Sequence, residues 1–320
     1  MLLRDAHDRA RLRPLPAMKF WVGVTDKAWY EHLRVLTPDE VNFWQPSPRR
    51  LAEFLEPGVP FLFKLHAPDN YVVGGGFFVR FSALPARLAW EAFEEKNGVA
   101  DYGALRRRIE QYRGATKGDP EIGCNVLNGP VFFEEKNWIA VPESWAPNIV
   151  RGRTFDTDET EGLRLWNAVS ERLLARAASA GRAEQPPRFG AEYLTRARLG
   201  QGAFRVLVTE AYSRRCAISG ERTLPVLEAA HIQPYADAGP HLTSNGVLLR
   251  SDLHILFDDG YVTMTDDLRV EVSRRIKEEY ENGREYYRYH GQPIAVKPTA
   301  PEERPSIEFL RWHNERVFLG

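Results

Sequence analysis

Between residues 19 and 145 the apolar positions come in short, dense runs: KFWVGV, PFLFKL, YVVGGGFFVRF, GPVFF and NWIAVP. Runs of this length, rich in aromatic and β-branched residues and bounded by turn formers, predict strands. Gly74, Gly75 and Gly76 break the longest run, which predicts a bulge or a close backbone approach there. Helical text interrupts the strands at about 87–96 and 102–112. This half therefore reads as a small, curved β-barrel with covering helices. The period then changes. Leu163, Trp166, Val169 or Ser170, and Leu173 recur at helical spacing and predict an amphipathic helix over about 161–178. It runs out in AASAGRAEQPPRFG, whose double proline favours an extended linker, so the domain boundary is expected near Pro186, with one domain over 1–185 and another over 186–320. A further helix in AEYLTRARLGQGAFRVLVTEAYSRR opens the second domain, and the fold class is α+β.

At 320 residues two cores are the default, and 43% hydrophobic composition is ample to fill them. The formal net charge of −1 gives no global attraction to polyanions, so any case for nucleic-acid binding rests on local charge. Such a patch exists: between Pro186 and Arg222 stand seven arginines against three glutamates, an excess of four positive charges. Arg196, Arg198, Arg205, Arg214 and Arg215 are the candidates for phosphate contact, although a solvated helix face would also explain them. Cys124 and Cys216 are far apart and neither belongs to a CxxC pair, so neither a disulfide scaffold nor a structural zinc is expected. The charges scattered through MLLRDAHDRARLRP and the absence of a long apolar run predict no secretion and no membrane contact, and a cytoplasmic location.

The chemistry is concentrated in PVLEAAHIQPYADAGPHLTSNGVLLRSDLHILFDDGYVTM. His231 ends an apolar strand-like run, Asn245 sits in an SNG turn, and His254 stands four residues before Asp258, on one helix face. Taken singly each has a plain structural role: a core histidine, a turn, a capping aspartate. Their joint order is what carries weight. CAISG, LEAAHIQP and TSNGVLLRSDLHILFDDGYV resemble the HNH endonuclease family over about 198–260, and RLGQGAFRVLVTEAYSRRCAISG resembles the helix and loop that lead into this motif in restriction endonucleases. The resemblance implies a ββα-metal domain with His231 as general base, Asn245 as the middle asparagine and His254 as metal ligand. Asp258 joins His254 as the second candidate ligand of one magnesium or manganese ion. One departure is visible. Many HNH enzymes carry an acidic residue or histidine just before the catalytic histidine, and this chain has Ala230, so the cation depends on His254 and Asp258 or on help from Glu228, which strict β alternation places on the opposite face from His231.

The first half is similar to the N-terminal half of other HNH proteins, and its strand order is similar to the PUA-like barrels that include EVE, YTH and SRA domains. That resemblance implies a reader of modified bases. Trp21, Asn42 and Trp44 are the pocket candidates, since two aromatic planes and an amide can stack and read a flipped base, with His66 and Tyr71 as weaker ones. Aromatics in a small barrel are also its ordinary core. The reading is a restriction enzyme acting on modified double-stranded DNA, with homodimerisation compatible with cutting both strands; the resemblance to HNH enzymes implies a 5′-phosphate and a 3′-hydroxyl as products. Two alternatives stay open: a structure-specific or repair nicking nuclease, and a non-catalytic nucleic-acid-binding protein with a degenerate HNH fold, prompted by Ala230.

Overall fold

The computed structural model describes residues 17–179 and 199–320. Its first half is built on β1 (Lys19–Thr25), β2 (Glu40–Gln45), β3 (Pro60–Leu65), β4 (Tyr71–Pro85), β5 (Glu121–Phe132), β6 (Ile139–Ala140) and β7 (Gly152–Asp156). They pair in the order β2-β5-β4-β3-β1-β7, with β6 on β4. β1 and β3 run parallel and the other pairs are antiparallel. Side-chain alternation sends β1 to two cores: Trp21 joins an inner aromatic core with Phe43, Phe61 and Phe63, whereas Phe20 and Val22 pack outward. The outward core is covered by Leu165, Trp166 and Val169 of α4 (Thr160–Ser179), preceded along the chain by α1 (Lys27–Leu36), α2 (Ala86–Phe93) and α3 (Tyr102–Arg113).

Phe43 on β2 lies 4.7 Å from Phe61 on β3, ring centre to ring centre, although β5 and β4 stand between those strands in the sheet. The sheet must therefore coil round its core. It does not close, because β2 pairs only with β5 and β7 only with β1 among the described residues. The expected closed barrel is thus an open, coiled sheet. The bulge expected at the triple glycine is present: the β4–β5 register shifts between Gly75 and Phe77, and a Cβ on Gly74 would come 2.1 Å from the Val131 carbonyl oxygen. No side chain other than hydrogen fits that approach.

The second half opens with α5 (Gln201–Ala211), followed by the hairpin β8 (Leu227–His231) and β9 (Gly246–Arg250) and then α6 (Ser251–Asp258). A second hairpin, β10 (Val262–Met264) and β11 (Val270–Val272), leads to α7 (Arg275–Tyr280), α8 (Arg284–Tyr287) and α9 (Ile307–Arg316). Helix α5 serves two cores. Ala203 and Val206 pack with Leu84, Phe93 and Val126 of the first half, while Phe204 and Val208 pack with Ile232, Val247 and Phe257 of the second. The boundary near Pro186 lies outside the described residues, but the two halves meet tightly beyond it. Ser82 bonds Glu210, Arg205 pairs with Glu91, and Arg214 bonds the Ala83 carbonyl and Glu210. Glu40, wholly buried on β2, accepts from the Gly202 and Ala203 amides at 2.8 Å each and pairs with Lys96. A carboxylate there meets free N–H donors and the positive end of the helix dipole. Among the described residues no helix is long and apolar enough to cross a membrane.

Buried His313 on α9 stacks on Phe257 and sits 3.0 Å from that residue's carbonyl oxygen, and burial pushes it down from 6.5 to about 4. Its folded value is below its unfolded one, so the neutral ring stabilises the fold above pH 6.5 and that contribution is lost as pH falls towards 4. The urea midpoint should therefore drop across that window, by up to about 1.4 kcal/mol per pH unit for one such group. His313→Phe should flatten the slope, and an unchanged slope in that variant would rule this histidine out.

Candidate active site

β8 and β9 form a short antiparallel ribbon in which His231 stands opposite Gly246, and α6 packs against it. A Cβ on Gly246 would lie 2.3 Å from Val208 and 2.9 Å from Phe204, so this glycine lets α5 approach the ribbon. Phe204 uses that approach to stack on His231, ring centres 3.8 Å apart and planes 10° from parallel. The His231 Nε2 lies 2.9 Å from Nδ1 of His241, a histidine that sequence reading passed over. Burial first, and His241 second, lower the His231 pKa from 6.5 to about 4, so the ring is neutral at physiological pH. Asn245 is wholly buried. Its Oδ1 accepts from the Gln233 amide and its Nδ2 donates to the carbonyls of Gln233 and Pro240, all at 2.9 Å, which ties the loop after His231 to the start of β9.

On α6, His254 stands between two carboxylates: Nδ1 is 2.6 Å from Glu228 and Nε2 is 3.2 Å from Asp258. Burial opposes its charge, but the hydrogen bonds to Asp258 and Glu228 outweigh it and raise the pKa above 6.5. Glu228, His231 and His254 line one cleft of about 370 Å³ with Phe204, Arg205 and Lys96. The first half thus contributes one wall of the site.

Residues 216–265 match the HNH endonuclease family.

The match spans every HNH position singled out from the sequence, and no curated protein matches the chain. Among solved structures, the ASCH protein of Zymomonas mobilis aligns at 10% identity and a TM-score of 0.32, over 45% of this chain and 93% of that one. A modification-dependent restriction endonuclease, TagI, aligns at 13% identity and a TM-score of 0.27, over 87% of this chain and 75% of its own.

Within the HNH segment, Glu228 lines the same cleft as His231 although the β8–β9 register is regular and alternation starts the two side chains on opposite faces. Burial along β8 does not alternate strictly, since Leu227 and Ala230 are buried while Glu228 and Ala229 between them are half-exposed. A long side chain at the rim of a two-stranded ribbon reaches round to His254, and Ala230 spends its side chain in the core. Among the described residues no three His, Cys, Asp or Glu groups already stand in metal-ligand geometry. His254 Nε2 and Asp258 nevertheless fit a divalent cation chemically, since a cation could replace the proton between them, while Glu228 on the opposite ring nitrogen, Nδ1, would orient the imidazole; Asp258 is about half exposed, leaving room for water ligands.

The arginines divide. Arg205 reaches the HNH cleft, but its guanidinium is bonded to the Glu91 carboxylate and carbonyl at 3.1 Å each. Arg214 is held by Glu210, Glu121 and the Ala83 carbonyl, so it clamps the two halves instead of facing a phosphate. Arg215 leans on the Gly220 carbonyl, and Arg196 and Arg198 lie outside the described residues.

The base-pocket triplet is also divided. A separate cavity of about 690 Å³ in the first half is lined by Trp44, Tyr112, Trp29, His66, Arg49 and Arg151 among others. Trp44 presents its ring edge-to-face to Tyr112 at 6.4 Å and anchors its indole N–H on the Asn97 carbonyl. Trp21 and Asn42 do not reach the cavity. Trp21 is in the inner aromatic core, and Asn42 is buried with its amide donating to Asn97 Oδ1. Tyr71 packs at a tilt against Trp138 away from it. Tyr112 and Arg151 were missed because helix and loop bring them in from distant sequence.

Proposed function

We propose that the protein is a divalent-metal-dependent DNA endonuclease, directed by its first half to duplexes carrying a modified base. The observation that carries the nuclease reading is the placement of His231 in one cleft with Glu228 and His254, whose ring also pairs with Asp258, inside the segment that matches the HNH family. His231 takes a proton from water, His254 and Asp258 would hold the ion, and Glu228 orients the His254 ring. A bound magnesium or manganese supplies Lewis-acid stabilisation of charge developing on the phosphate. Asn245 keeps the loop in register, and Arg205 meets phosphate after exchanging its bond to Glu91.

The direction to modified bases rests on the Trp44–Tyr112 cavity, which has the size and aromatic lining of a small-molecule pocket. Taking a base out of the stack costs a few kcal/mol, and stacking on such rings must return it. The test is cleavage by the full chain of otherwise identical plasmids carrying cytosine, 5-methylcytosine or 5-hydroxymethylcytosine, with magnesium, manganese or EDTA. Cleavage should require metal and favour one modified plasmid, with nicked circles preceding linear DNA because one centre cuts one strand at a time. Trp44→Ala should abolish the preference by roughly tenfold or more, as loss of one stacking platform of about 1–3 kcal/mol implies. Equal cleavage of all plasmids by the unaltered chain would turn the assignment towards a structure-specific nicking nuclease.

A further inference from the structure

The loop between β8 and β9 carries a second histidine that no part of the HNH order calls for. His241 Nδ1 lies 2.9 Å from His231 Nε2. Its ring is not loosely placed: it stacks on Tyr235 with centres 4.8 Å apart and planes 5° from parallel, and it tilts against Phe204. The residue before it is fixed by the Asn245 amide, which donates to the Pro240 carbonyl, and the loop is closed again by the Gly239 amide on the Pro234 carbonyl. The buried asparagine therefore acts on His231 through His241.

We propose that His241 is a positioning residue that holds His231 in the tautomer able to take a proton from the attacking water. The inference rests on the nuclease reading and adds a residue to it. Two neutral imidazoles joined through Nε2 and Nδ1 share one hydrogen. If His231 donates it, the His231 Nδ1 carries a lone pair; if His241 donates it, His231 must carry its own hydrogen on Nδ1 and has no basic nitrogen left. The first arrangement is the competent one. Nδ1 of His231 has no hydrogen-bond partner among the described residues and is not among their sealed, unpaired polar atoms, so water can reach it. Burial lowers the pKa of both rings, which favours their neutral forms and leaves each ring one unprotonated nitrogen.

The reaction itself makes the demand stronger. A water hydrogen passes to His231 Nδ1, the water oxygen bonds to phosphorus, and the bond from phosphorus to the leaving alkoxide breaks. The alkoxide takes a proton from solvent water, and the hydroxide so formed recovers the proton from His231. During that sequence His231 is an imidazolium with hydrogen on both nitrogens, and its Nε2–H needs an acceptor. A charge-assisted bond to His241 forms only then, so it stabilises the transition state more than the ground state.

Two readouts test this. In the unaltered protein, nitrogen-15 NMR of labelled histidines should show neutral His231 with its hydrogen on Nε2; hydrogen on Nδ1 would overturn the proposal without any variant. In plasmid cleavage, His241→Phe keeps the stack on Tyr235 but removes the acceptor, and should cut roughly 10²-fold more slowly with unchanged DNA affinity. His241→Asn, whose side-chain oxygen can accept in place of Nδ1, should recover to within about tenfold of the parent, a rescue that a merely structural role would not give. His241→Phe cleaving within about threefold of the parent, in a preparation whose His231→Ala control is inactive, would sink the positioning role and leave the nuclease reading intact. No cleavage by the parent on any duplex would instead remove the nuclease reading, and this role with it.

Discussion

Purified His231→Ala should fold, bind DNA and cleave it roughly 10²–10⁴-fold more slowly than the parent, the usual loss when a general base is removed. The side chain is half-buried at the end of β8, and its neighbours Ala230 and Ile232 supply the core contacts, so the fold does not depend on it. The pH profile gives a second check. A base must be neutral to act, and burial places this group at about 4, so the parent rate should rise through pH 4 and stay level from about 6 to 8. A rate limb near 6.5 would mean that the titrating base is another group. Near-normal turnover by folded His231→Ala would remove the assignment altogether. Glu228→Ala and Asp258→Ala should lose less, because each leaves the other carboxylate beside His254, and excess manganese should restore part of the rate.

The HNH order was legible because His231, Asn245, His254 and Asp258 fall within one short hairpin and helix, where sequence spacing nearly fixes spatial position. Strands of the first half were legible for a related reason: alternation and aromatic runs report burial directly. What failed was anything decided by how segments meet. His241 is ten residues beyond His231, and only the loop closure made by Asn245 brings the rings together. Glu228 read as turned away from His231 because alternation gives the direction of a Cα–Cβ bond and not the reach of a long side chain at the rim of a narrow ribbon. Arg205 and Arg214 read as a phosphate patch, yet Glu91, Glu210 and Glu121, two of them from the other half, neutralise them. Trp21 and Asn42 are chemically apt for a base and topologically interior, a distinction that composition cannot make.

Glu40→Ala should give the largest loss of stability of any single change considered, and should slow cleavage from a distance. Glu40 is fully buried, and its two oxygens satisfy the Gly202 and Ala203 amides at the start of α5 while Lys96 supplies the counter-charge. Truncation strands two helix N–H donors and removes one side of a buried pair, for which roughly 3–5 kcal/mol is typical. Lys96 is 29% exposed and can recover water, so the lower end of that range is expected, and Lys96→Ala should cost less than Glu40→Ala. The link to function is short. Phe204 follows Ala203 on the same helix and stacks on His231, so release of the helix start loosens the wall against which the base is held. Ala203 and Val206 belong to the core of the first half and Phe204 and Val208 to that of the second, so the same release should uncouple the halves. Urea unfolding of the parent should be a single transition, with two transitions in Glu40→Ala. Glu40→Gln, which keeps the shape and one strong acceptor, should fall between them. A Glu40→Ala protein with the parent's midpoint, a single transition and the parent's cleavage rate would show that the junction is held by its apolar contacts and that the carboxylate contributes nothing to placing His231.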